Sequence, residues 1–286
     1  MQWESATITV TYEEGVSSPT ASSYSVTLGS SVTLYTNRLN TSQTHTFTYL
    51  FGNASGTIGS SITTTATWTP PLSLASQIPS ATSGTCAISC VTYSGGVMTG
   101  TKVIYLTLQV PDTVKPSIST IAMSEAVAGL NAQFGSYVQK KSQLFVQITA
   151  SGSYGSTISS YRTTMDGSTY SGASYTTGTL NTSGYVTMNF TVTDSRGRTG
   201  TAVRTIYVTP YSPPTILNFT AARCNAAGTA AQSDGTRAWV TVSATASGVS
   251  SKNTMSCTVY YKLKSSASWL SATTIAHTNY SVAKTN

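Results

Sequence analysis

The sequence predicts an all-β protein built from tandem β-sandwich domains, and three observations favour this fold class. Charged residues make up only 8% of the 286-residue chain. The chain is rich in threonine and tyrosine, which are common in strands. Apolar residues alternate with polar ones over many short stretches bounded by glycine and proline, as in half-buried strands. Low charge with many β-branched residues also argues against a disordered chain.

The clearest strand signal lies between residues 185 and 216. Every second position from Val186 to Val192 is apolar, as expected for a strand with one buried face. Asp194–Gly197 has the composition of a tight turn. A second strand follows, and Pro210–Pro214 ends it because proline lacks the backbone donor that a sheet requires. The stretch therefore predicts a closing hairpin followed by a linker.

The same pattern occurs about a hundred residues earlier. Pro116 and Pro214, at the starts of two predicted strands, are 98 positions apart. Gly100 and Gly200, which we place in the two hairpin turns, are 100 apart. Chance similarity of threonine-rich strands is the alternative, but the proline and glycine positions recur together. A repeat of this length is the size of one immunoglobulin-type sandwich, so we predict tandem immunoglobulin-like β-sandwich domains.

The repeat divides the chain into three predicted domains. Residues 1–111 and 112–210 each form an immunoglobulin-like sandwich, and residues 211–286 form an immunoglobulin-like or fibronectin III-like one. Measured against the second domain, the third lacks its closing hairpin of roughly 25 residues. We therefore expect the last domain to be incomplete: either the sequence is a fragment, or the third domain borrows strands from elsewhere.

Within the first domain, alternation predicts strands at residues 6–12, 24–28, 32–34, 47–51 and 62–68. Trp68 is the predicted core anchor, because its large ring buries much apolar area. A turn is placed at Asn53–Gly56, a short helical turn at Leu72–Ile78, and the closing hairpin at Cys86–Val110.

Alternation also predicts the strands of the other two domains. In the second they lie at residues 144–148, 161–165, 170–175 and 185–208, with a loop or short helix at Ala126–Gly135 and a hairpin turn at Asp166–Gly167. In the third they lie at residues 216–219, 238–244 and 257–263 around the polar loop Asn225–Gly235.

The charge of the chain predicts neither nucleic-acid nor membrane partners. The net charge of +7 arises from few acids, eight, rather than from many bases, fifteen. The bases are scattered, with Lys140-Lys141 and Arg196/Arg198 among the tight pairs, whereas nucleic-acid binders cluster bases on one face. No run approaches the length of a membrane span, and the first residues have no secretory-signal pattern.

The four cysteines are predicted to be buried free thiols. Cys86 and Cys90 lie four positions apart in one strand, so they share a face but are roughly 13 Å apart, too far for a disulfide. Cys224 and Cys257 could pair within the third domain, and the sequence leaves that alternative open.

The sequence predicts no catalytic, cofactor-binding or metal site, and it leaves any receptor-binding residues unknown. His45 and His277 lie in different domains and away from any cluster of acids or cysteines. Glu13-Glu14 are the only adjacent acids, and neighbours on a strand point to opposite faces. Gly95–Lys102 lacks the Gly-Lys pair of a phosphate loop, and Asp194–Gly197 has no further acids for calcium.

Several motifs resemble a family of siphophage proteins of uncharacterised function, from phages of Gram-positive bacteria. They are WTPP at 68–71, QIP at 77–79, ATSGTC at 81–86, VKP at 114–116, SEA at 124–126, DSRGR at 194–198, YSPP at 211–214, RCN at 223–225 and YYK at 260–262. The resemblance covers nearly the whole chain. It implies a minor virion structural protein of the tail-tip or tail-fibre class, usually several hundred residues long, and no catalytic residues.

The expected function is therefore that of a non-enzymatic phage tail protein, acting as a spacer, in host-surface attachment, or both. Its expected partners are other tail or tail-tip proteins, further copies of itself within the virion and, as a further candidate, a bacterial surface receptor or glycan. We expect it in the phage tail, released from the cell by lysis. The alternatives are a bacterial surface adhesin or carbohydrate-binding module and, less favoured, an accessory region of a cell-wall hydrolase.

Overall fold

The computed structural model describes residues 15–275 and 280–285. The predicted strand at residues 6–12 and His277 lie outside the described residues. The described part of the chain is nearly all β, which confirms the predicted fold class.

Residues 20–109 form eight strands and one short helix, here called the first sandwich. They are β1 (Thr20–Ala21), β2 (Ser25–Thr27), β3 (Val32–Tyr35), β4 (Thr44–Phe51), β5 (Ala54–Ile62), β6 (Thr65–Trp68), a 3-10 helix (Leu72–Gln77), β7 (Ser83–Ser94) and β8 (Val97–Gln109). The sheets have the orders β2-β8-β7-β4-β5 and β1-β3-β6. The β2 strand runs parallel to β8, whereas β7 and β8 form a long antiparallel hairpin.

Apolar side chains from both sheets form one core in the first sandwich. Phe47 and Ile88 are fully buried. Trp68 is buried and stacks on Tyr49 with ring centroids 5.1 Å apart, which confirms its predicted role as a core anchor. The short helix falls where the helical turn was predicted.

Residues 117–209 form the second sandwich. Its elements are β9 (Ser117–Glu125), α1 (Leu130–Phe134), β10 (Tyr137–Val138), β11 (Leu144–Ser151), β12 (Ile158–Met165), β13 (Ser168–Ser171), β14 (Ser174–Thr176), β15 (Gly184–Asp194) and β16 (Thr199–Thr209). The sheets have the orders β10-β16-β15-β12-β13 and β14-β11-β9. The apolar positions from Val186 to Val192 are all buried, as predicted. Asp166 and Gly167 both have positive φ, as a two-residue hairpin requires.

The two sandwiches have the same topology, which supports the predicted repeat. In each five-stranded sheet, a short strand runs parallel to the last strand of the closing hairpin: β2 beside β8, and β10 beside β16. Gly100 and Gly200 are nevertheless inside β8 and β16, so their predicted placement in turns is wrong. A Cβ on Gly100 would lie 2.5 Å from Val16, and one on Gly200 would lie 2.2 Å from the carbonyl oxygen of Pro116. Glycine recurs because the chain that enters each sandwich crosses the last strand there.

Residues 215–285 form the third region. Its strands are β17 (Thr215–Cys224), β18 (Arg237–Thr245), β19 (Cys257–Tyr261), β20 (Leu270–Ile275) and β21 (Ser281–Thr285). They make a sheet of order β17-β18-β21 and a pair β19-β20. These match β9-β11-β14 and β12-β13 of the second sandwich. Among the described residues, nothing corresponds to the hairpin β15-β16.

Spatial contacts group the chain into two compact units. One extends to Ser119 and includes Thr149–Tyr161 and Thr191–Thr201, and the other consists of Thr120–Ile148, Arg162–Phe190 and the chain from Ala202 onward. These units follow contacts rather than sequence order. The division into domains at residues 1–111, 112–210 and 211–286 therefore stays a prediction.

Candidate functional site

The turn at Asp194–Arg198 carries the densest set of side-chain hydrogen bonds in the first unit. Asp194 Oδ1 accepts from the backbone nitrogens of Arg196 (3.0 Å) and Arg198 (2.9 Å). The backbone nitrogen of Gly197 donates to the Asp194 carbonyl at 2.9 Å, and Gly197 has the positive φ that the turn requires. The carboxylate thus fixes the direction in which both arginine side chains leave the turn.

Arg196 is a buried cation whose guanidinium binds only backbone carbonyl oxygens. Nε donates to Ile78 (3.3 Å), and Nη2 donates to Ala75 (2.8 Å), at the end of the 3-10 helix. Nη1 donates to Ser153 (2.7 Å), and Nη2 also donates to Tyr154 (2.8 Å). The side chain is only 7% exposed. The planar five-donor fork of arginine suits such a site, whereas the point charge of lysine does not.

Two neighbours of Arg196 complete this contact. Ser195 Oγ donates to the Pro79 carbonyl at 2.6 Å. The guanidinium of Arg198 donates to the carbonyls of Val110, Pro111 and Val114, the last at 2.9 Å. It also lies 3.3 Å from a carboxylate oxygen of Asp112. We call the side chains of Ser195, Arg196 and Arg198 the arginine clamp.

The arginine clamp fixes the turn to the 3-10 helix and to the segment Val110–Val114. A hydrogen bond to a charged group contributes about 1.5–3 kcal/mol, so the four bonds of Arg196 offset the cost of burying its charge. Burial lowers the pKa of the Arg196 guanidinium from its ordinary value, and the neighbouring Asp194 opposes that shift. Arg196 and Arg198, which the sequence showed only as a tight pair of bases, therefore connect the turn to other backbone segments. The predicted turn at Asp194–Gly197 is confirmed.

His45 lies in a buried polar network that sequence reasoning missed. His45 Nε2 is 2.8 Å from Ser17 Oγ, and Nδ1 is 3.1 Å from the Ile62 carbonyl. A serine beside a histidine can act as a nucleophile. Here, however, the Ser17 hydroxyl donates to Gln43 Oε1 at 3.0 Å, and all three side chains are fully buried. The network ties the chain entering the first sandwich to β4 rather than forming an accessible nucleophile.

All four cysteines are free, which confirms the predicted free thiols and leaves Cys224 and Cys257 unpaired with each other. Cys86 and Cys90 share the core face of β7, and burial raises the pKa of each thiol to about 11. Cys224 is buried as well, whereas Cys257 is only partly buried. Within the described ranges, no group of three or more His, Cys, Asp or Glu residues converges as metal ligands would.

The third region contains an open apolar cleft between its two sheets. Phe219 and Val240 form one wall, and Val259 and Tyr260 form the other, around a volume of about 680 Å³. An adjoining hollow of about 550 Å³ shares three of these residues and extends to Trp269. Phe219 is 53% exposed and Trp269 62% exposed. Apolar side chains that would be covered in a complete sandwich therefore face solvent here.

A family of siphovirus proteins of unknown function matches residues 3–283, almost the full length of the chain. The chain belongs to this family. The resemblance carried by the WTPP, DSRGR and YSPP motifs is thereby confirmed. The family places the protein among those of tailed phages. In the structure, Ser195, Arg196 and Arg198 of the DSRGR motif form the arginine clamp.

Several solved structures are similar to the chain at low identity. A chain in the complex of Dpr2 Ig1-Ig2 with DIP-Theta Ig1-Ig3 is 11% identical with a TM-score of 0.32, and the match covers 85% of this chain and 79% of that one. Fibronectin III-like modules of Clostridium thermocellum CbhA are 14% identical with a TM-score of 0.27, covering 68% and 95%. A Ca²⁺-stabilised adhesin of an Antarctic bacterium is 13% identical with a TM-score of 0.30, covering 96% and 66%. These likenesses concern the fold and do not extend to what those proteins bind.

No curated protein matches the chain. The helices in the described part of the chain are all too short to cross a membrane.

Proposed function

We propose that this siphovirus protein is a non-enzymatic structural component of the tail tip or tail fibre. In this role it acts as a spacer between other tail proteins and takes part in contact with the host surface. The family supports a phage protein, and the tandem sandwiches support a modular component. After lysis the protein leaves the cell as part of the virion.

The arginine clamp is the observation that carries the spacer role. Linked sandwiches move freely about their linkers unless specific contacts hold them. Here the segment Val110–Val114, which follows the first sandwich, is bound by Arg198, and the 3-10 helix is bound by Arg196. A linker segment that is held by such hydrogen bonds bends less freely, which suits a spacer.

The non-enzymatic character of the protein is part of the proposal. The described histidine is fully buried in a core network, and its serine neighbour donates its proton to Gln43 rather than to the imidazole. We expect purified protein to leave peptidoglycan, polysaccharides and esters unchanged. Turnover that a His45 or His277 substitution abolishes would contradict this part of the proposal.

Labelling of purified virions tests the location. Antibodies raised against the first sandwich should decorate one end of the tail in electron micrographs, and mass spectrometry should find the protein in gradient-purified particles. A protein present in infected cells but absent from particles would overturn the proposal. If it is instead anchored on the bacterial surface, the alternative of a bacterial adhesin is favoured.

Competition for adsorption separates the spacer role from the attachment role. Purified protein that binds host cells and slows phage adsorption supports host contact. Purified protein that does neither, while particles lacking it still adsorb but have altered tails, supports a spacer alone. Clamp variants can be compared in the host-binding and adsorption assays. Arg204→Ala, which changes an exposed arginine outside the clamp, is their matched control.

A further inference from the structure

The buried network of the first sandwich places an amide and an imidazole within hydrogen-bonding distance of one hydroxyl. Ser17 Oγ lies 2.8 Å from His45 Nε2 and 3.0 Å from Gln43 Oε1. All three side chains are fully buried. A hydroxyl and a base at such a distance form a reactive pair when an electrophile lies beside them. External substrates cannot reach this hydroxyl, but the side-chain amide of Gln43 is an electrophile already in contact with it.

The His45 ring is held in the tautomer that a base requires. Nδ1 lies 3.1 Å from the carbonyl oxygen of Ile62, which can only accept a hydrogen bond. Nδ1 therefore carries a hydrogen, and the lone pair of the neutral ring is on Nε2, facing Ser17 Oγ. The backbone nitrogen of Ser17 donates to Thr92 Oγ1 at 3.3 Å, which holds the hydroxyl in place. Both members of the pair are thus fixed by neighbouring strands.

The amide of Gln43 is oriented by two backbone groups. The backbone nitrogen of Leu39 donates to one amide atom at 2.8 Å, so that atom is the oxygen. The other amide atom lies 2.8 Å from the Gly15 carbonyl, so it is the nitrogen. The Leu39 N–H therefore points at the atom on which negative charge develops when a nucleophile adds to the amide. A single donor of this kind contributes about 10²–10³ in rate.

The Ser17 hydroxyl has one hydrogen for two neighbours. In the resting arrangement it donates to Gln43 Oε1, which holds Ser17 Oγ against the amide. A hydroxyl hydrogen rotates to suit its surroundings. When it turns to His45 Nε2, the oxygen presents a lone pair to the amide and its proton to the base. The resting and the reactive arrangements are therefore related by rotation of one O–H bond.

We propose that Ser17 and Gln43 react with each other to form an ester, which links the chain entering the first sandwich to the residue before β4. His45 Nε2 takes the hydroxyl proton as the bond from Ser17 Oγ to Gln43 Cδ forms. The bond from Cδ to Nε2 of Gln43 then breaks. The nitrogen leaves as ammonia, with its own two hydrogens and the proton that His45 returns. The reaction takes place once in each chain and needs no further reactant.

Burial protects the product. Water that would hydrolyse an ester is excluded from a site in which all three side chains are fully buried. The link joins residues 26 positions apart and restricts the unfolded chain as a disulfide does. Because the chain reacts only with itself, the inference is compatible with a protein that turns over no external substrate. It holds or fails independently of where in the virion the protein lies.

Peptide mapping of the full chain tests the ester directly. Trypsin cuts after lysine and arginine, so residues 1–38, with Ser17, and residues 39–102, with Gln43, are two separate peptides of the denatured chain. We expect to recover them joined, about 17 Da lighter than their sum because ammonia is lost. Hydroxylamine, which cleaves esters, should separate them. An N-terminal Gln2 would lose the same mass by cyclising, so the joined species rather than the mass alone decides.

Three variants assign the roles of the side chains. Ser17→Ala should leave the two peptides separate, and so should Gln43→Glu, because an ionised carboxylate does not accept a nucleophile. His45→Gln should leave them separate at times when the unmodified chain is joined, since a general base contributes about 10²–10⁴-fold. Ser18→Ala, at the exposed neighbouring position, is the matched control for Ser17→Ala and should still give the joined species. Circular dichroism checks that each variant is folded.

The unmodified chain decides the proposal even where a variant fails to fold. Separate peptides from folded protein, both fresh and after prolonged incubation, would overturn it and leave Ser17, Gln43 and His45 as a hydrogen-bonded network alone. Joined peptides that persist in folded Ser17→Ala protein would overturn it as well. Joining at an unchanged rate in folded His45→Gln protein would overturn the role of His45 as the base.

Discussion

The first sandwich and the third region use the same kinds of strand but differ in how far their apolar faces are covered. In the first, strands of both sheets bury their apolar side chains in one shared core. In the third, buried Val242 and Ile275 make a small core, while Phe219 and Trp269 face an open cleft. The difference shows that an alternating sequence specifies a strand with an apolar face, but only a facing sheet wide enough to cover that face makes it part of a core.

The largest expected effect concerns a fully covered phenylalanine. Phe47→Ala should destabilise the first sandwich by about 3–5 kcal/mol, because it removes a fully buried ring and leaves a cavity. The three regions need not unfold together. We therefore expect the loss of stability to appear locally, as faster hydrogen exchange of the slowest amides in β4 and β7. Unchanged exchange in those strands would contradict the assignment of this core.

A second test removes the clamp and leaves the core intact. Arg196→Ala should cost on the order of 3 kcal/mol, because four carbonyl oxygens lose a charged donor. Arg196→Lys should recover little, since one ammonium group cannot reach all four. Amides of the 3-10 helix and the segment Val110–Val114 should exchange faster, and limited proteolysis should cut there first. Arg204→Ala is the matched control, and an equal effect of both alanine substitutions would reject the clamp.

Most of the long strands were predictable because apolar and polar residues alternate along them, whereas the two-residue strands β1 and β10 are too short to show a period and were not predicted. The hairpin that contains Val186 and Phe190, the anchor Trp68 and the turn at Asp166 follow from periodicity and turn composition alone. The turn at Asn53–Gly56 was placed too late, since β5 already begins at Ala54. Gly52, with its positive φ, precedes that strand in the turn, and periodicity does not mark such a position.

Long-range contacts were not predictable from these patterns. The guanidinium of Arg196 reaches carbonyls more than a hundred positions away, and nothing in the DSRGR motif indicates its partners. The alternation predicted from Cys257 to Leu263 breaks at a bulge between Val259 and Tyr260, and β19 ends at Tyr261. Contacts between side chains and distant backbone depend on the assembled fold.

The accessibility of the cysteine thiols tests the same difference between the first sandwich and the third region, with a smaller expected effect. Cys257 is partly buried on β19, whereas Cys86 and Cys90 are fully buried and burial raises the pKa of each to about 11. At pH 8 roughly one in a thousand of the two buried thiols is ionised, so Cys257 should be alkylated first and the pair only after unfolding. Mass spectrometry after iodoacetamide treatment checks the order. Equal labelling of Cys86 and Cys257 in folded protein would contradict the difference in cover.

The smallest expected effect is the most informative about the third region. Phe219→Ala in the free monomer should cost less than about 1 kcal/mol, because the ring is already 53% exposed and no cavity forms. Exchange of the amides in β18, whose Val242 lies directly opposite Phe219, should change by less than about tenfold. A loss of several kcal/mol in the monomer would mean that the cleft is already filled within one chain, and the contrast with Phe47 would no longer hold.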